Sequence, residues 1–435
     1  MMTADTSVHP SGCWDRALTP PAASRDMPTW TTRSPSVHPS ICGGRIAGAA
    51  GAYAGMRRLR SGMPEGVGYH RRMLKRLYVS NFRTFENFEF KPADKTVLLI
   101  GKNGSGKSTL GRVLKILRDV GRGINRVGEL VKPDDFPFWQ KPVAPMRFEI
   151  EAVLNGMNYA YALALELPKD FRELRVLEER LTVNGRELFS RQPGKVSLSQ
   201  ASFVVDWHFV ALPVILDNTV ADQLTAWREW LSHIVVLKPY PSLMTGESSK
   251  EALWPSVDGA DYADWLTGLL VQHPAAYATI LDQVRLSLPD VQTLKNLPSG
   301  RDRRTLSVRF ENSSVDLPFD ALSDGEKCTF LSATVIASNK HYGPLLTFWD
   351  EPDNYLSLSE VQHFFHALRK SFADDGGQLI ATSHGEEAIR SFSRENTHLL
   401  SRASHVEFTR IQLLRELTDD VEDVVEAIKR DELEG

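Results

Sequence analysis

The chain has 435 residues, of which 42% are hydrophobic and 24% charged, and its formal net charge is −4. This composition predicts a globular protein that can bury a large core. No run approaches the 18 apolar residues of a membrane span, so we expect a soluble chain. Its cysteines have neither disulfide nor metal-site spacing, which favours a reducing cytoplasm: Cys13, Cys42 and Cys328.

Residues 1–72 differ in composition from the rest of the chain. They lack lysine, are rich in Pro, Gly, Ser, Ala and Arg, and repeat Ser-Val-His-Pro-Ser at 7–11 and 36–40. We expect disorder here, because the segment cannot bury enough apolar surface to offset its ordering entropy. Our preferred interpretation is upstream sequence misassigned as coding, with the native start at Met73 and Met63 as the next candidate. An arginine-rich transit peptide is the alternative.

The next segment predicts a strand, a glycine-rich loop and a helix in direct succession. Two short strands are expected over 77–90, and the apolar run 96–100 leads into the loop. Glycines there let backbone N–H groups converge on an anion at a helix N-terminus, Lys107 would reach the β- and γ-phosphates, and Ser108 would ligate Mg²⁺. The predicted phosphate-binding residues are Gly101, Asn103, Gly104, Ser105, Gly106, Lys107, Ser108 and Thr109.

A helical row of basic residues follows the loop. The side chains spaced by three or four form either a DNA-binding patch or a solvated helix face: Lys115, Arg118, Arg122 and Arg126. Residues 1–72 carry nine arginines and four acidic residues, which leaves −9 for the remainder. That charge does not favour bulk nucleic-acid affinity, although a local patch would suffice.

The middle of the chain alternates between hairpin and helical patterns. Asn155-Gly156 between two alternating runs predicts a hairpin over 147–167, and the segment 178–185 predicts a further strand and turn. Helices are predicted at 217–236 and 259–287, and a strand at 304–310.

Three downstream segments carry further chemistry. Residues 321–327 open a helix with Ser323, Gly325 and Glu326, which suits an anion but also reads as an ordinary N-cap. A buried-strand pattern over 344–349 ends in Asp350 and Glu351. Asp350 would hold Mg²⁺ and Glu351 would polarise water, whereas the alternative is a solvated acidic turn.

His384 ends another apolar strand, over 378–384. Its imidazole would hydrogen-bond near the γ-phosphate, and the alternative is a purely structural histidine.

In this order, the four segments resemble the ATP-binding-cassette ATPases over about residues 73–400: Walker A, signature, Walker B and switch histidine. The resemblance implies an α/β P-loop NTPase, an ABC-ATPase head with a mixed sheet, an antiparallel β subdomain and a helical insertion. It implies ATP and Mg²⁺ as cofactors and Lys107, Glu351 and His384 as catalytic residues. It also implies a homodimer in which Ser323, Gly325 and Glu326 close over the partner's nucleotide.

The motif Asn-Phe-Arg-x-Phe at 81–85 is similar to that of SMC, RecF and OLD-type ATPases, which handle DNA or serve in phage defence. Gln140 is the candidate Q-loop residue and a further Mg²⁺ ligand. Ser357 departs from the aspartate of transporter D-loops. No long heptad run predicts a coiled-coil arm, and the chain ends too soon after His384 for an OLD-type nuclease module.

The predicted organisation has five parts: an extension (1–72), the Walker A part of the core (73–146), a β-hairpin and helical insertion (147–320), the signature and Walker B part (321–412) and an acidic helix (413–435). The preferred function is ATP hydrolysis coupled to DNA maintenance or repair, or to antiviral defence, with DNA as a partner in the first case. A regulatory ATP-binding subunit that gates a separate nuclease or toxin is the alternative. A transporter subunit is disfavoured by the Leu-Ser-Asp-Gly-Glu signature, so no membrane partner is expected.

Overall fold

The computed structural model describes residues 72–140, 143–199, 201–216, 221–417, 425–426 and 430. The expectations for the extension 1–72, apart from Arg72, therefore lie outside the described residues. The strands are β1 Met73–Ser80, β2 Phe88–Phe90, β3 Thr96–Ile100, β4 Met146–Leu154, β5 Met157–Glu166, β6 Arg175–Val183, β7 Arg186–Gln192, β8 Lys195–Leu198, β9 Ser202–Val204, β10 Val235–Leu237, β11 Glu247–Ser248, β12 Val291–Pro298, β13 Arg304–Phe310, β14 Leu317–Pro318, β15 Leu346–Trp349, β16 Gln378–Thr382, β17 Thr397–Ser401 and β18 Arg410–Leu413. The helices are α1 Lys107–Gly121, α2 Val127–Leu130, α3 Ala221–Ser232, α4 Tyr262–Gln272, α5 Ala276–Ser287, α6 Asp324–Tyr342, α7 Leu358–Asp374 and α8 Glu386–Arg390.

The central sheet has the order β10-β15-β16-β3-β17-β18, with β18 antiparallel to an otherwise parallel set. Every residue of β3 is buried, because helices or a second sheet cover both faces. Val97 and Leu99 pack on the side of α1, while Leu98 and Ile100 pack on the side of α6 and α7. The carboxyl ends of β15, β16 and β3 consequently meet at one edge, where a ligand site is expected.

An antiparallel sheet of eight strands, β2-β1-β4-β5-β6-β7-β8-β9, lies on the α1 side of the central sheet. Asn155 and Gly156 both have positive φ at the β4–β5 turn, as do Asn184 and Gly185 at the β6–β7 turn. Two positive φ angles in a two-residue loop match the right-handed twist of the paired strands. The hairpins predicted from these Asn-Gly pairs are therefore present.

The helical middle of the chain differs from the sequence prediction in two places. The helix expected over 217–236 ends at Ser232, and the apolar residues that follow form β10 of the central sheet. The helix expected over 259–287 is two helices, α4 and α5, separated at residues 273–275. Pro274 explains the break, since it offers no N–H to α4 and disfavours helical backbone in His273.

The predicted fold class is confirmed: a P-loop fold with a mixed central sheet, an antiparallel β subdomain and a helical region. Residues 147–320 were predicted to be an insertion, but β10, which lies within this range, is a strand of the central sheet. Of the acidic helix expected over 413–435, most lies outside the described residues, Leu413 is in β18, and Val425 is buried. Within the described part of the chain, no helix has the length and apolarity that crossing a membrane requires.

Candidate functional site

The glycine loop between β3 and α1 requires glycine at its two ends. Gly101 has φ 142°, and a Cβ there would lie 2.1 Å from the carbonyl oxygen of Leu400 on β17. Gly106 has φ 106°, and a Cβ there would lie 2.8 Å from Thr409 Oγ1. Only glycine satisfies both the left-handed backbone and the close approach of neighbouring strands. Glycine at both ends therefore allows the tight turn that joins β3 to α1.

Lys107, the first residue of α1, folds back across this loop. Its Nζ donates to the carbonyl oxygens of Gly101 at 2.6 Å and Lys102 at 3.1 Å. Burial lowers the pKa of Lys107 to about 8, although the nearby carboxylates Glu351 and Asp350 oppose that shift. A cation is thus held over the centre of the loop, where it would face a bound phosphate.

The carboxylate of Asp350, at the end of β15, is buried and accepts three hydrogen bonds. Ser108 Oγ donates to its Oδ2 at 2.7 Å, and Lys238 Nζ lies 2.8 Å from the same oxygen. Thr382 Oγ1, at the end of β16, donates to Oδ1 at 2.7 Å. A serine hydroxyl beside a carboxylate is the hard oxygen set that Mg²⁺ prefers when phosphates supply further ligands.

Glu351 is the next residue, and its backbone is turned into the left-handed region with φ 51°. Its N–H donates to Thr382 Oγ1 at 2.9 Å. The side chain accepts from Asn354 Nδ2 at 2.8 Å, and its Oε1 lies 3.3 Å from His384 Nε2. Burial, together with the charge of Lys107, lowers the pKa of His384, which favours a neutral imidazole. A carboxylate and a neutral histidine therefore face each other beside the loop.

The signature segment begins α6. Ser323 and Glu326 form a capping box, in which Ser323 Oγ accepts from Glu326 N–H at 3.3 Å and Glu326 Oε2 accepts from Ser323 N–H at 2.7 Å. Gly325 packs against the Tyr355 carbonyl, since a Cβ at Gly325 would lie 3.0 Å from that oxygen. Ser323 is exposed to solvent. Among the described contacts, none joins Ser323, Gly325 or Glu326 to the phosphate loop of the same chain.

Gln140 does not join the Ser108–Asp350 pair. It is exposed and lines a surface pocket of about 640 Å³ formed with residues 86–89 and 406–411, and that lining includes neither of the two oxygen donors. The neighbouring Trp139 packs on Phe408, which ties the segment to the start of β18. Gln140 thus has no described contact with these donors, and its role as Q-loop residue and Mg²⁺ ligand stays a prediction. Lys238 is the described residue that reaches both donors.

The basic row on α1 is largely engaged within the fold. Arg118 is buried and pairs with Asp119 at 2.8 Å, and Lys115 pairs with the same carboxylate at 2.5 Å. Arg122 donates to the Ser232 carbonyl and lies over the Trp254 ring. Arg122 thus links the end of α1 to α3 and to Trp254, whereas Lys115 and Arg118 are paired within α1, so these three side chains are engaged by the protein itself.

Two residues of the site, Lys238 and Thr382, were not predicted from the sequence. Thr382 lies in the strand segment 378–384, which was singled out because it ends in His384. A hydroxyl residue two positions before that histidine could have indicated a further site residue. Lys238 follows the apolar run 234–237 and precedes Pro239, a pattern typical of a strand end. Most of that run was assigned to the helix predicted over 217–236, so the strand was not predicted.

Two family models match the chain. One is described as "AAA ATPase domain" and matches residues 73–149, which contain the phosphate loop. The other is described as "AAA domain, putative AbiEii toxin, Type IV TA system" and matches residues 227–389, which contain the signature, the acidic pair and His384. Together with the strand–loop–helix unit formed by β3, residues 101–106 and α1, these matches support a P-loop ATPase of the AAA type.

Solved structures of SMC heads are among those that match this chain, at low sequence identity. An SMC head bound to the C-winged helix domain of ScpA is 16% identical over 79% of this chain and 99% of its own, with a TM-score of 0.49. The SMC head domain from Thermotoga maritima is 14% identical over 78% and 98%, with a TM-score of 0.42. An Smc head with an extended coiled coil, bound to the C-terminal domain of ScpA from Pyrococcus furiosus, is 14% identical over 82% and 100%, with a TM-score of 0.48. A comparison with curated proteins finds no significant match.

Proposed function

We propose that this ATPase binds ATP with Mg²⁺ and hydrolyses it at the edge where β3, β15 and β16 end. The observation that carries the proposal is the contact of Ser108 with Asp350 at 2.7 Å, next to Glu351 and within the electrostatic reach of Lys107. A phosphate-binding loop, a hard-oxygen pair and a candidate base thus lie side by side, as metal-assisted phosphoryl transfer requires.

Each residue has a separable role in this proposal. Lys107 and the loop N–H groups bind the phosphates, while Ser108 and Asp350 hold the metal. The metal would supply charge stabilisation for the transferred phosphoryl group. Glu351 orients and polarises the attacking water, and His384 is placed by its contact with Glu351 to report on the γ-phosphate.

The active unit in this proposal is a homodimer. Ser323 is exposed at the N-terminus of the long helix α6, and the signature segment has no described contact with its own phosphate loop. A helix N-terminus with an exposed serine suits an anion. We infer that it closes over the nucleotide of a second copy, as the resemblance to ATP-binding-cassette proteins implies.

The biological coupling we propose is to DNA maintenance or to phage defence. The description of the second family model as a putative toxin of a toxin–antitoxin system favours a defence role, and it also supports the alternative of a regulatory subunit that gates a separate effector. Because Arg118 and Arg122 are engaged within the fold, the row on α1 gives little support to the DNA-binding alternative.

The experiment that tests this function is phosphate release from ATP by the full chain, with and without double-stranded DNA. Mg²⁺-dependent release is expected in both cases, because the phosphate loop and the acidic pair are already assembled. Stimulation by DNA would favour DNA maintenance, and an unchanged rate would favour effector gating. A chain that binds no ATP and releases no phosphate would contradict the proposed function.

A further inference from the structure

Lys238 follows the edge strand β10, directly beside the strand that ends in Asp350. In the parallel pairing of β10 with β15, Leu237 lies opposite Trp349, so Lys238 and Asp350 are the next residues on neighbouring strands. The Asp350 N–H donates to the Leu237 carbonyl at 2.7 Å, and the Lys238 N–H donates to the Val257 carbonyl at 2.7 Å. The sheet register therefore fixes the backbone from which the Lys238 side chain extends.

The ammonium of Lys238 contacts both oxygen donors of the candidate metal site. Its Nζ lies 2.8 Å from Asp350 Oδ2 and 3.5 Å from Ser108 Oγ. The two side chains differ in exposure, since that of Lys238 is 39% exposed and that of Asp350 only 3%. The long flexible side chain of Lys238 thus reaches a buried carboxylate from the solvent side, and its ammonium can move back into solvent.

Two positive charges converge on this edge. The charge of Lys238 contributes, after burial, to lowering the pKa of Lys107. The Lys238 ammonium lies within hydrogen-bond distance of the Asp350 carboxylate, an opposite charge that favours the charged form of the lysine. Without Lys238, the buried carboxylate would repel an incoming triphosphate more strongly.

A divalent cation and an ammonium compete for the same carboxylate oxygen. Mg²⁺ bound to Ser108 Oγ and Asp350 Oδ2 would repel a charge held within hydrogen-bond distance of both atoms. Lys238 must then withdraw from Asp350, which its exposure permits. Phosphate oxygens bound at the loop would be the nearest negative partner for it.

We propose that Lys238 is a positioning residue that serves as the built-in counter-cation of the Asp350 site. It neutralises the carboxylate when no metal is bound, permits ATP to bind without Mg²⁺, and is displaced when Mg²⁺ arrives. This inference rests on the proposed nucleotide binding and adds a regulation by the metal, because Lys238 sets how strongly ATP affinity depends on Mg²⁺.

The test is the dissociation constant of a fluorescent ATP analogue for the full chain, measured in EDTA and in saturating Mg²⁺. The informative quantity is the dissociation constant in EDTA divided by the dissociation constant in Mg²⁺. Lys238→Met keeps the length of the side chain without its charge and should raise this ratio by about tenfold or more, a coupling of about 1.4 kcal/mol. Lys238→Gln should raise it likewise, whereas Lys238→Arg should keep it near the wild-type value.

Two control variants separate this inference from the proposed function. Lys340→Met removes a charge from the last turn of α6 and should leave the ratio unchanged. Lys107→Ala should weaken binding in both buffers. An unchanged ratio in Lys238→Met and Lys238→Gln, or equal weakening in both buffers, would overturn the role of Lys238 alone. Failure of the wild type to bind the analogue in either buffer would overturn the proposed function as well.

Discussion

At the scale of single residues, the site depends on a strained glutamate held by a buried hydroxyl. A non-glycine residue in the left-handed region, such as Glu351, costs about 1–2 kcal/mol. The Glu351 N–H donates to Thr382 Oγ1, and the same hydroxyl donates to Asp350 Oδ1. One threonine therefore links the backbone of Glu351 to the carboxylate of Asp350, while the Glu351 carboxylate itself contacts Asn354 and His384.

Replacing Thr382 with valine should test that arrangement. The substitution keeps the volume but leaves the Glu351 N–H and one Asp350 oxygen without this partner, so we expect a loss of about 1–3 kcal/mol in the free energy of unfolding and slower ATP hydrolysis. Thr347→Val is the matched control, because Thr347 Oγ1 is buried on the adjacent strand β15 with no hydrogen-bond partner among the described residues. Urea denaturation should show little or no loss for the control, and equal losses for the two variants would contradict the assignment.

At the scale of elements, α1 lies close against the strand that carries the acidic pair. A Cβ on Gly111 of α1 would come within 2.4 Å of Phe348 Cε1 on β15. The ring is buried between the two elements, so little space exists for relief. Close packing of α1 on β15 is what keeps Ser108 within reach of Asp350.

Gly111→Ala should therefore destabilise the protein, even though alanine is the better helix former. We expect a loss of about 1–3 kcal/mol from overpacking against Phe348, measured by the midpoint of urea denaturation. Gly128→Ala on α2 is the control, since a Cβ there meets nothing within 4 Å and its effect should be neutral or stabilising. Stabilisation of similar size in both variants would show that α1 is not packed as described.

Elements were predictable where local chemistry decides them. Asn155-Gly156 specifies its turn by backbone preference alone, and the loop 101–109 specifies a strand–loop–helix unit by glycine spacing. By contrast, residues 234–237 are a short apolar run that periodicity does not distinguish from the end of a helix. Their strand state depends on pairing with β15, more than a hundred residues later in the chain.

The same distinction applies to the site. Lys107, Asp350, Glu351 and His384 were found because each belongs to a local pattern after an apolar strand. The contact of Lys238 with Asp350 depends on the order of strands in the central sheet, and the position of Gln140 likewise depends on the packing of its segment on residues 406–411. Tertiary neighbours of this kind are not encoded in the spacing of one segment.

At the scale of the whole molecule, hydrophobic cores cover both faces of the central sheet, and the candidate site lies at the carboxyl ends of its strands. The phosphate loop and the acidic pair lie at these ends, whereas Ser323 at the start of α6 faces solvent. A capping box already satisfies the backbone of this helix start, but the Ser323 hydroxyl proton has no described acceptor. The molecule thus presents a preformed surface that fits the proposed ATP-dependent dimer.

Dimer formation is testable in a variant that retains ATP. Glu351→Gln should double its mass in light scattering when ATP and Mg²⁺ are added, because the nucleotide is held without rapid turnover. Adding Ser323→Arg should keep the protein monomeric, since a bulky side chain would obstruct the closing surface while the phosphate loop stays intact. A dimer that forms equally with Arg at position 323, or without nucleotide, would contradict closure through the signature.

The role of Glu351 in polarising water is tested most directly by the rate of ATP hydrolysis of Glu351→Gln at saturating ATP, together with its affinity for ATP. Glutamine keeps the shape of the side chain but cannot polarise water as a carboxylate does. We expect a fall of about 10²- to 10⁴-fold in turnover with ATP binding retained. Hydrolysis at the wild-type rate would show that Glu351 is not the base and would contradict the proposed mechanism.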